Sequence, residues 1–374
     1  MRIFYFIIPL VLALVILCGI YLFNYIRRVF VEFGLEKTAK KTKIFSLIIT
    51  VIIGACGMTV FSTPAVMALM LVSSCVIVDI ISLIFKKLIK NQKANKVWKA
   101  VKLKGLLALI FTIAMIGYGY VNMHIIRETD YEITVDKDID GKELTILQIS
   151  DLHLGINMDA EALKSELSKI SDKGSYDVIA LTGDIFDENT TYENMVAACK
   201  YLGEMKSTYG VFYVYGNHDS SSYATTPNYS KEDLGNALLD NNITVLCDEE
   251  ILVEDKFYIV GRDDTFKNPN CLEIDKLMTE VDTDKFVLVL DHQPTQLEEV
   301  AASGADLMLS GHTHYGQIWP VGWFFELFHI NEMTYGIKQV ENTNFIVSSG
   351  IAGWGYSIRT QGVCEYVVVN VKGK

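Results

Sequence analysis

Five of the chain's seven histidines fall in short blocks that directly follow apolar runs. The blocks are Asp151-Leu152-His153, Gly183-Asp184-Ile185-Phe186-Asp187, Gly216-Asn217-His218-Asp219, Asp291-His292-Gln293-Pro294 and Gly311-His312-Thr313-His314. A single His after a strand is ordinarily a surface or core residue. Five of them, accompanied by Asp and Asn, make a donor set of imidazole, carboxylate and amide oxygen. That set lacks thiolate and suits Mn, Fe or Zn. Seven donors exceed one tetrahedral site and match two adjacent cations sharing a carboxylate. Two metals ~3.5–4 Å apart form the clamp used to displace phosphate esters.

Positioning such donors calls for strand ends. Leu144–Ile149 reads as a buried strand, and alternation along an extended chain sends Asp151 and His153 to one side. That side faces the crevice at the carboxyl end of the strand, where open α/β sheets bind ligands. Gly183, Gly216 and Gly311 fit tight turns with close backbone approach. From Leu144 onward strand and helix patterns alternate, which argues an α/β layered domain. Strand-like runs are Leu144–Ile149, Asp177–Leu181, Val211–Tyr215, Phe257–Val260, Phe286–Leu290, Asp306–Leu309, Phe345–Val347 and Val363–Val371. Helical periodicity marks Ala160–Ile170, Glu193–Met205, Lys231–Leu239 and Thr295–Ala302. Residues 127–143 are polar, carry the turn signal Asp140-Gly141 and read as a linker.

The N-terminal third is different material. Four apolar runs, roughly Phe4–Ile26, Ile44–Thr63, Ala65–Phe85 and Gly105–Ile126, are each long enough for a helix across the ~30 Å hydrocarbon core. They show no polar stripe, and the first lacks a small-residue cleavage site, so it reads as a retained anchor. Residues 1–126 are therefore expected to be a transmembrane region with four helices. Before residue 126 fifteen Lys and Arg face only Glu32, Glu36 and Asp79; the chain's net charge is −12, so the remainder carries −24. The basic residues concentrate in the loops Arg27–Lys43 and Lys86–Lys104. The positive-inside rule puts both loops in the cytoplasm and the acidic C-terminal domain outside it. Asp79, inside the third run, is costly in lipid and by default a functional candidate; the plainer reading is that it reaches a Lys of the basic loop. Cys199, Cys247, Cys271 and Cys364 lie in the outer domain, where oxidation is permitted but pairing is not readable.

The order D-x-H, G-D, G-N-H-D, H, G-H-x-H over residues 144–371 resembles the calcineurin-like metallophosphoesterases. The attached apolar segments make the chain similar to the bacterial membrane-anchored branch of that family. That branch includes phosphodiesterases and relatives acting on the pyrophosphate of diacylglucosamine nucleotides. The resemblance implies a four-layer α/β/β/α sandwich over 144–374. It implies one metal held by Asp151, His153, Asp184 and His314, and a second by Asp184, Asn217, His292 and His312, with Asp184 bridging. In such sites a water activated by the metals attacks phosphorus in line. His218 would face the phosphate, protonating the leaving oxygen or stabilising charge. Asp219 would orient His218. Asp187 would hydrogen-bond a ligand, with a surface or capping role as the alternative. The branch carries Gly after the last His of the pattern, whereas here Tyr315 precedes Gly316-Gln317; a phenol there bears on substrate rather than on metal.

Two more features concern substrate. Trp319–Ile330 holds Trp319, Trp323, Phe324, Phe325, Leu327 and Phe328 with the single acid Glu326, and reads as a core element or as a membrane-facing flap. Arg359 is a candidate for gripping a phosphate by bidentate hydrogen bonds, or for a structural ion pair. The resulting expectation is a membrane-tethered phosphodiesterase or pyrophosphatase using two divalent metal ions. Its substrate would be lipid-linked or an envelope precursor, in contact with membrane lipids. The alternatives are a soluble external nucleotide or other phosphodiester as substrate, or a sensor module without turnover. The −24 charge disfavours nucleic acid as a partner.

Overall fold

A computed structural model describes residues 4–59, 62–88, 97–98, 105–139, 143–219, 223–264, 268 and 270–374. The Asp140-Gly141 turn and most of the Lys86–Lys104 loop lie outside the described residues. The chain divides into two compact units, Met1–Tyr118 and Gly119–Lys374. The boundary falls within an apolar helix, ahead of the expected break after residue 126.

The first unit consists of long helices: Phe4–Glu32, Lys40–Met58, Thr63–Leu88 and most of Leu106–Met123. Lys40–Met58, Thr63–Ile84 and Leu106–Met123 are long and apolar enough to cross a membrane. Only 11% to 28% of each such stretch is buried within the chain, too little for helices of a soluble core. Side chains 4–12 and 14 of the first helix lie outside the described residues. Asp79 accepts hydrogen bonds from Arg28 Nη2 and from the Tyr21 hydroxyl, each at 2.8 Å. Arg28 of the first helix is thus a cationic partner of Asp79, and most of the basic loop that holds the expected Lys lies outside the described residues.

The second unit is built on two six-stranded mixed sheets, ordered β1-β12-β2-β3-β4-β5 and β10-β11-β9-β8-β7-β6. The strands of the first sheet are β1 (Ile126–Thr134), β2 (Glu143–Ile149), β3 (Tyr176–Thr182), β4 (Ser207–Val214), β5 (Ile243–Val245) and β12 (Cys364–Lys372). Those of the second are β6 (Glu249–Val253), β7 (Phe257–Gly261), β8 (Phe286–Leu290), β9 (Leu307–Ser310), β10 (Gly336–Val340) and β11 (Thr343–Val347). The segment expected as a linker is corrected here: Ile126–Thr134 pairs in parallel with β12 along its whole length. Its alternating burial, with Ile133 inside and Asp130, Glu132 and Thr134 toward solvent, is that of an edge strand rather than of a tether.

Strands β3 and β8 read as continuous apolar runs because both of their faces are covered. One core cluster joins Ile146, Val178, Phe212 and Val367 of the first sheet to Ile259, Leu288, Leu309 and Ile346 of the second. A second cluster packs the other side of β2, β3 and β4 on helices Ala160–Ser171, Tyr192–Gly203 and Lys231–Asp240. A third packs β7, β8 and β9 on helices Ile274–Leu277 and Leu297–Ala302. Ser230 and Asp233 cap Lys231–Asp240 reciprocally, satisfying two otherwise orphaned N–H groups. The carboxyl ends of β2, β3, β4, β8 and β9 carry the five sequence blocks, so both sheets feed one site.

Candidate metal centre

The first block does not converge as simple strand alternation would have it. Strand β2 ends at Ile149, and Asp151 and His153 turn through left-handed backbone, with φ of 54° and 45°. Asp184, His312 and His314 share that region, at 51°, 71° and 49°. Such residues cost roughly 1–3 kcal/mol each and persist where surrounding structure imposes them, which is typical of functional sites. The imposition is visible here. Asp151 N donates to Gly183 O and His153 N to Asp184 O, both at 3.0 Å, while His312 N donates to Asp151 Oδ1 at 3.0 Å. Gly216 and Gly311 serve close approach: a Cβ on either would strike the carboxylate of Asp184 or of Asp151.

Asp151, His153 and His314 form one three-donor cluster, and Asp184, His292 and His312 form another. In the first, His153 Nε2 stands 3.0 Å from His314 Nε2, and His314 Nε2 3.5 Å from Asp151 Oδ1. In the second, His292 Nε2 lies 3.1 Å from Asp184 Oδ2 and 3.3 Å from His312 Nδ1. The same Asp184 oxygen is 3.7 Å from His153 Nε2, so Asp184 stands between the clusters. Asn217, the fourth donor expected for the second, has a buried side-chain oxygen without a hydrogen-bond partner.

These residues fit divalent cations. Two imidazole nitrogens aimed at one point, an orphaned amide oxygen and a shared carboxylate all present lone pairs that a cation would satisfy. The outward nitrogens are held as metal-ligating rings usually are. His292 Nδ1 donates to Thr182 O at 2.9 Å, and His153 Nδ1 faces Asp187 Oδ2 at 3.2 Å. Asp187 is fixed in turn by the Asn189 backbone and side-chain amides, at 2.9 and 2.7 Å. Burial alone would raise the Asp184 pKa, but the charges of His292, His153 and His218 hold it well below the usual carboxylate range. Burial and the neighbouring charge of His292 lower His312 to about 3. Burial and His153 hold His314 well below the ordinary histidine value. Those two rings are therefore neutral and available as donors.

His218 lies at the edge of the clusters, and its backbone N donates to Asp184 Oδ1 at 2.8 Å. The expectation that Asp219 orients it is corrected. Asp219 is fully buried and accepts backbone hydrogen bonds from Asp184 (2.9 Å), Phe186 (2.9 Å) and Gly216 (2.6 Å). It braces the loop that carries the shared carboxylate. The partner of His218 is Glu188, whose Oε2 lies 2.8 Å from Nδ1, with Asp187 Oδ2 at 3.8 Å. Burial works against a charge on His218, yet Glu188, Asp184 and Asp187 raise its pKa above the ordinary value. Glu188 escaped the sequence reading because no spacing rule marks the residue after Asp187.

Arg359 is also corrected: it is fully buried and grips backbone, not phosphate. Its guanidinium donates to His314 O (3.2 Å), Ser349 O (3.0 Å) and Ala352 O (2.7 Å). It thereby fixes the turn that presents His314. Tyr315 is stacked on Tyr335, with ring centroids 4.7 Å apart. The four Cys of this unit are all unpaired.

A fold with two sheets delivering His, Asp and Asn from five strand ends to two adjoining clusters defines a metal-binding hydrolase of the α/β class. Comparison with known proteins agrees. The Calcineurin-like phosphoesterase family model matches residues 144–316. An uncharacterized metallophosphoesterase of Aquifex aeolicus is 30% identical over 271 residues, covering 71% of this chain and 99% of the relative. One from Campylobacter jejuni is 30% identical over 282 residues, covering 72% and 71%. A transmembrane protein with metallophosphoesterase domain from Danio rerio is 28% identical over 279 residues, covering 71% and 62%. The chain belongs to the calcineurin-like metallophosphoesterase family, and membership supports a metal-dependent phosphoester hydrolase in general.

Proposed function

We propose that the chain is a membrane-anchored phosphoesterase with two metals, cleaving a phosphodiester or pyrophosphate bond of a lipid-linked or envelope-precursor substrate. The observation that carries this is the pair of donor clusters adjoining at Asp184, with the unpaired oxygen of Asn217 beside the second. Asp151, His153, Asp184 and His314 would hold one cation, and Asp184, Asn217, His292 and His312 the other. Bound there, divalent cations would acidify a water and offset the charge of the phosphoryl oxygens. His218 gives its proton to the departing oxygen, and Glu188 keeps that imidazole charged and oriented. Asp187 holds the His153 ring and Arg359 the His314 turn, so the donors are placed before substrate arrives.

The layering we read is α/β/β/α, with four spans ahead of it and the acidic domain outside the cytoplasm. Three helices of spanning length and relatives named as transmembrane proteins support the anchoring. Tethering keeps the site near lipid, which favours a membrane-embedded phosphoester. The test presents purified full-length protein with Mn²⁺ to a soluble diester, a monoester, a nucleotide-diphosphate lipid and solubilised phospholipids. Preference for a lipid-borne diester or pyrophosphate supports the reading; cleavage of soluble diesters alone refutes its lipid part. For orientation, protease added to intact cells should remove the C-terminal unit, and complete protection would reverse it.

A further inference from the structure

The helix Val321–Leu327 and the residues after it show water an apolar face that the phosphoesterase reading leaves unused. Trp323, Phe324, Leu327, Phe328 and Ile330 are 58%, 46%, 69%, 58% and 57% exposed. The inner side of the same helix is fastened. Gly322 is buried, its N–H donates to Gln361 Oε1 at 3.1 Å, and a Cβ there would strike Gln361 and the Tyr315 carbonyl. Phe324 and Phe328 stack with centroids 6.0 Å apart, giving the outer face a fixed shape. Soluble monomers seldom leave five large apolar side chains together in water.

What covers this face follows from what lies beside it in the same unit. Residues Gly119–Met123 are the last turn of Leu106–Met123, a helix of spanning length. That turn is seated on the Arg359–Gly362 loop. Arg359 N donates to Gly119 O at 2.9 Å, and Asn122 Nδ2 donates to Arg359 O (3.2 Å) and Gly362 O (2.9 Å). The next residues of that loop hold the root of the apolar helix. Thr360 N donates to Gln317 O at 3.0 Å, and Trp319 N donates to Thr360 Oγ1 at 2.9 Å. A four-residue loop thus joins the end of a span, where hydrocarbon gives way to headgroups, to the base of the exposed aromatics. Trp favours that level of a bilayer, and Trp, Phe and Leu form the buried face of helices that lie in it. The only charged residues between Trp319 and Ile330 are Glu326 and the titratable His329, so basic attraction to anionic lipid plays no part.

We infer that Trp323–Ile330 is a lipid-contacting foot, dipped into the bilayer interface beside the exit of the span. Gly316, two residues after His314, packs against Gly322 at the root of this foot. Dipping it would bring the metal-binding turn to headgroup level, where a phosphoester borne on a lipid lies. The foot itself rests on reading Leu106–Met123 as a span; only its consequence for substrate rests on the hydrolase reading.

The test uses the full chain in nanodiscs of zwitterionic lipid brominated near the top of the acyl chains, comparing the wild type with Trp323→Phe. The emission lost in the variant should be the component quenched by bromolipid and spared by aqueous iodide. Quenching of that component by iodide and not by bromolipid overturns the inference. Protection from both does so too, since it means that protein, such as a second copy, covers the face. A second arm compares Leu327→Asp/Phe328→Asp with wild type on a soluble chromogenic diester and on a lipid-borne ester in the disc. Turnover of the lipid ester should fall more than about tenfold with the soluble rate kept; an equal effect on both contradicts the inference. If the wild type cleaves neither ester, the hydrolase reading fails while the quenching result still decides the foot.

Discussion

The two donor clusters are built from the same residue types but braced by different partners. In the first, His153 leans on an anion, the Asp187 carboxylate, and Arg359 holds the His314 backbone. In the second, His292 leans on a neutral carbonyl, Thr182 O, and the Asp184 carboxylate is tied directly to the His218 backbone. An anionic partner makes an imidazole a more basic ligand than a carbonyl does. The first cluster should therefore hold its cation more tightly, while the second should be the one coupled to proton delivery. On the proposed function, one centre would divide its two jobs unevenly.

The harshest break is Asp184→Ala, which removes the carboxylate lying within 3.7 Å of His153 Nε2 and 3.1 Å of His292 Nε2. Both cations should be lost and turnover should drop to the metal-free background; metal analysis and initial rates check it. His218→Ala should lower kcat by about 10²–10⁴ while metal stays bound. Unchanged turnover would favour a sensor over an enzyme. Asp187→Asn sharpens the contrast, because it should cost about 10–100-fold in affinity at the first cluster and bring the two closer together. A competitive chelator titration would reveal two affinities in the wild type and their convergence in the variant. The smallest effect belongs to Glu188→Gln. Removing the anion 2.8 Å from His218 lowers the pKa of that imidazole, so its protonated, proton-giving form disappears at lower pH. The alkaline limb of the pH–rate profile should move to lower pH, with the rate below the limb little changed.

Much of this arrangement was legible in the sequence, for reasons that also explain the misses. Every strand read from apolar runs is an interior strand, with neighbours on both sides. The four that escaped, β1, β5, β6 and β10, are the four sheet edges. Edge strands keep polar faces in water, as Glu249 and Lys338 do, so the apolar signal fades there. The residues of the two clusters stood out in the sequence because His and Asp recur there directly after apolar strands. The supports were not readable, since an orienting group need only be near in space. For Arg359 and Asp219 residue type suggested a partner and only the fold assigns the real one, while nothing in the sequence singled out Glu188. Asp151 and His153 converge through left-handed turns, a path that an alternation rule does not describe.

The central claim is that seven side chains gather two cations around Asp184. Elemental analysis of purified full-length protein, saturated with Mn²⁺ and desalted, tests it most directly. About two metals per chain are expected, falling to about one in Asn217→Ala and to trace in Asp184→Ala. Trace metal in the wild type, or an undiminished pair in Asp184→Ala, would contradict it.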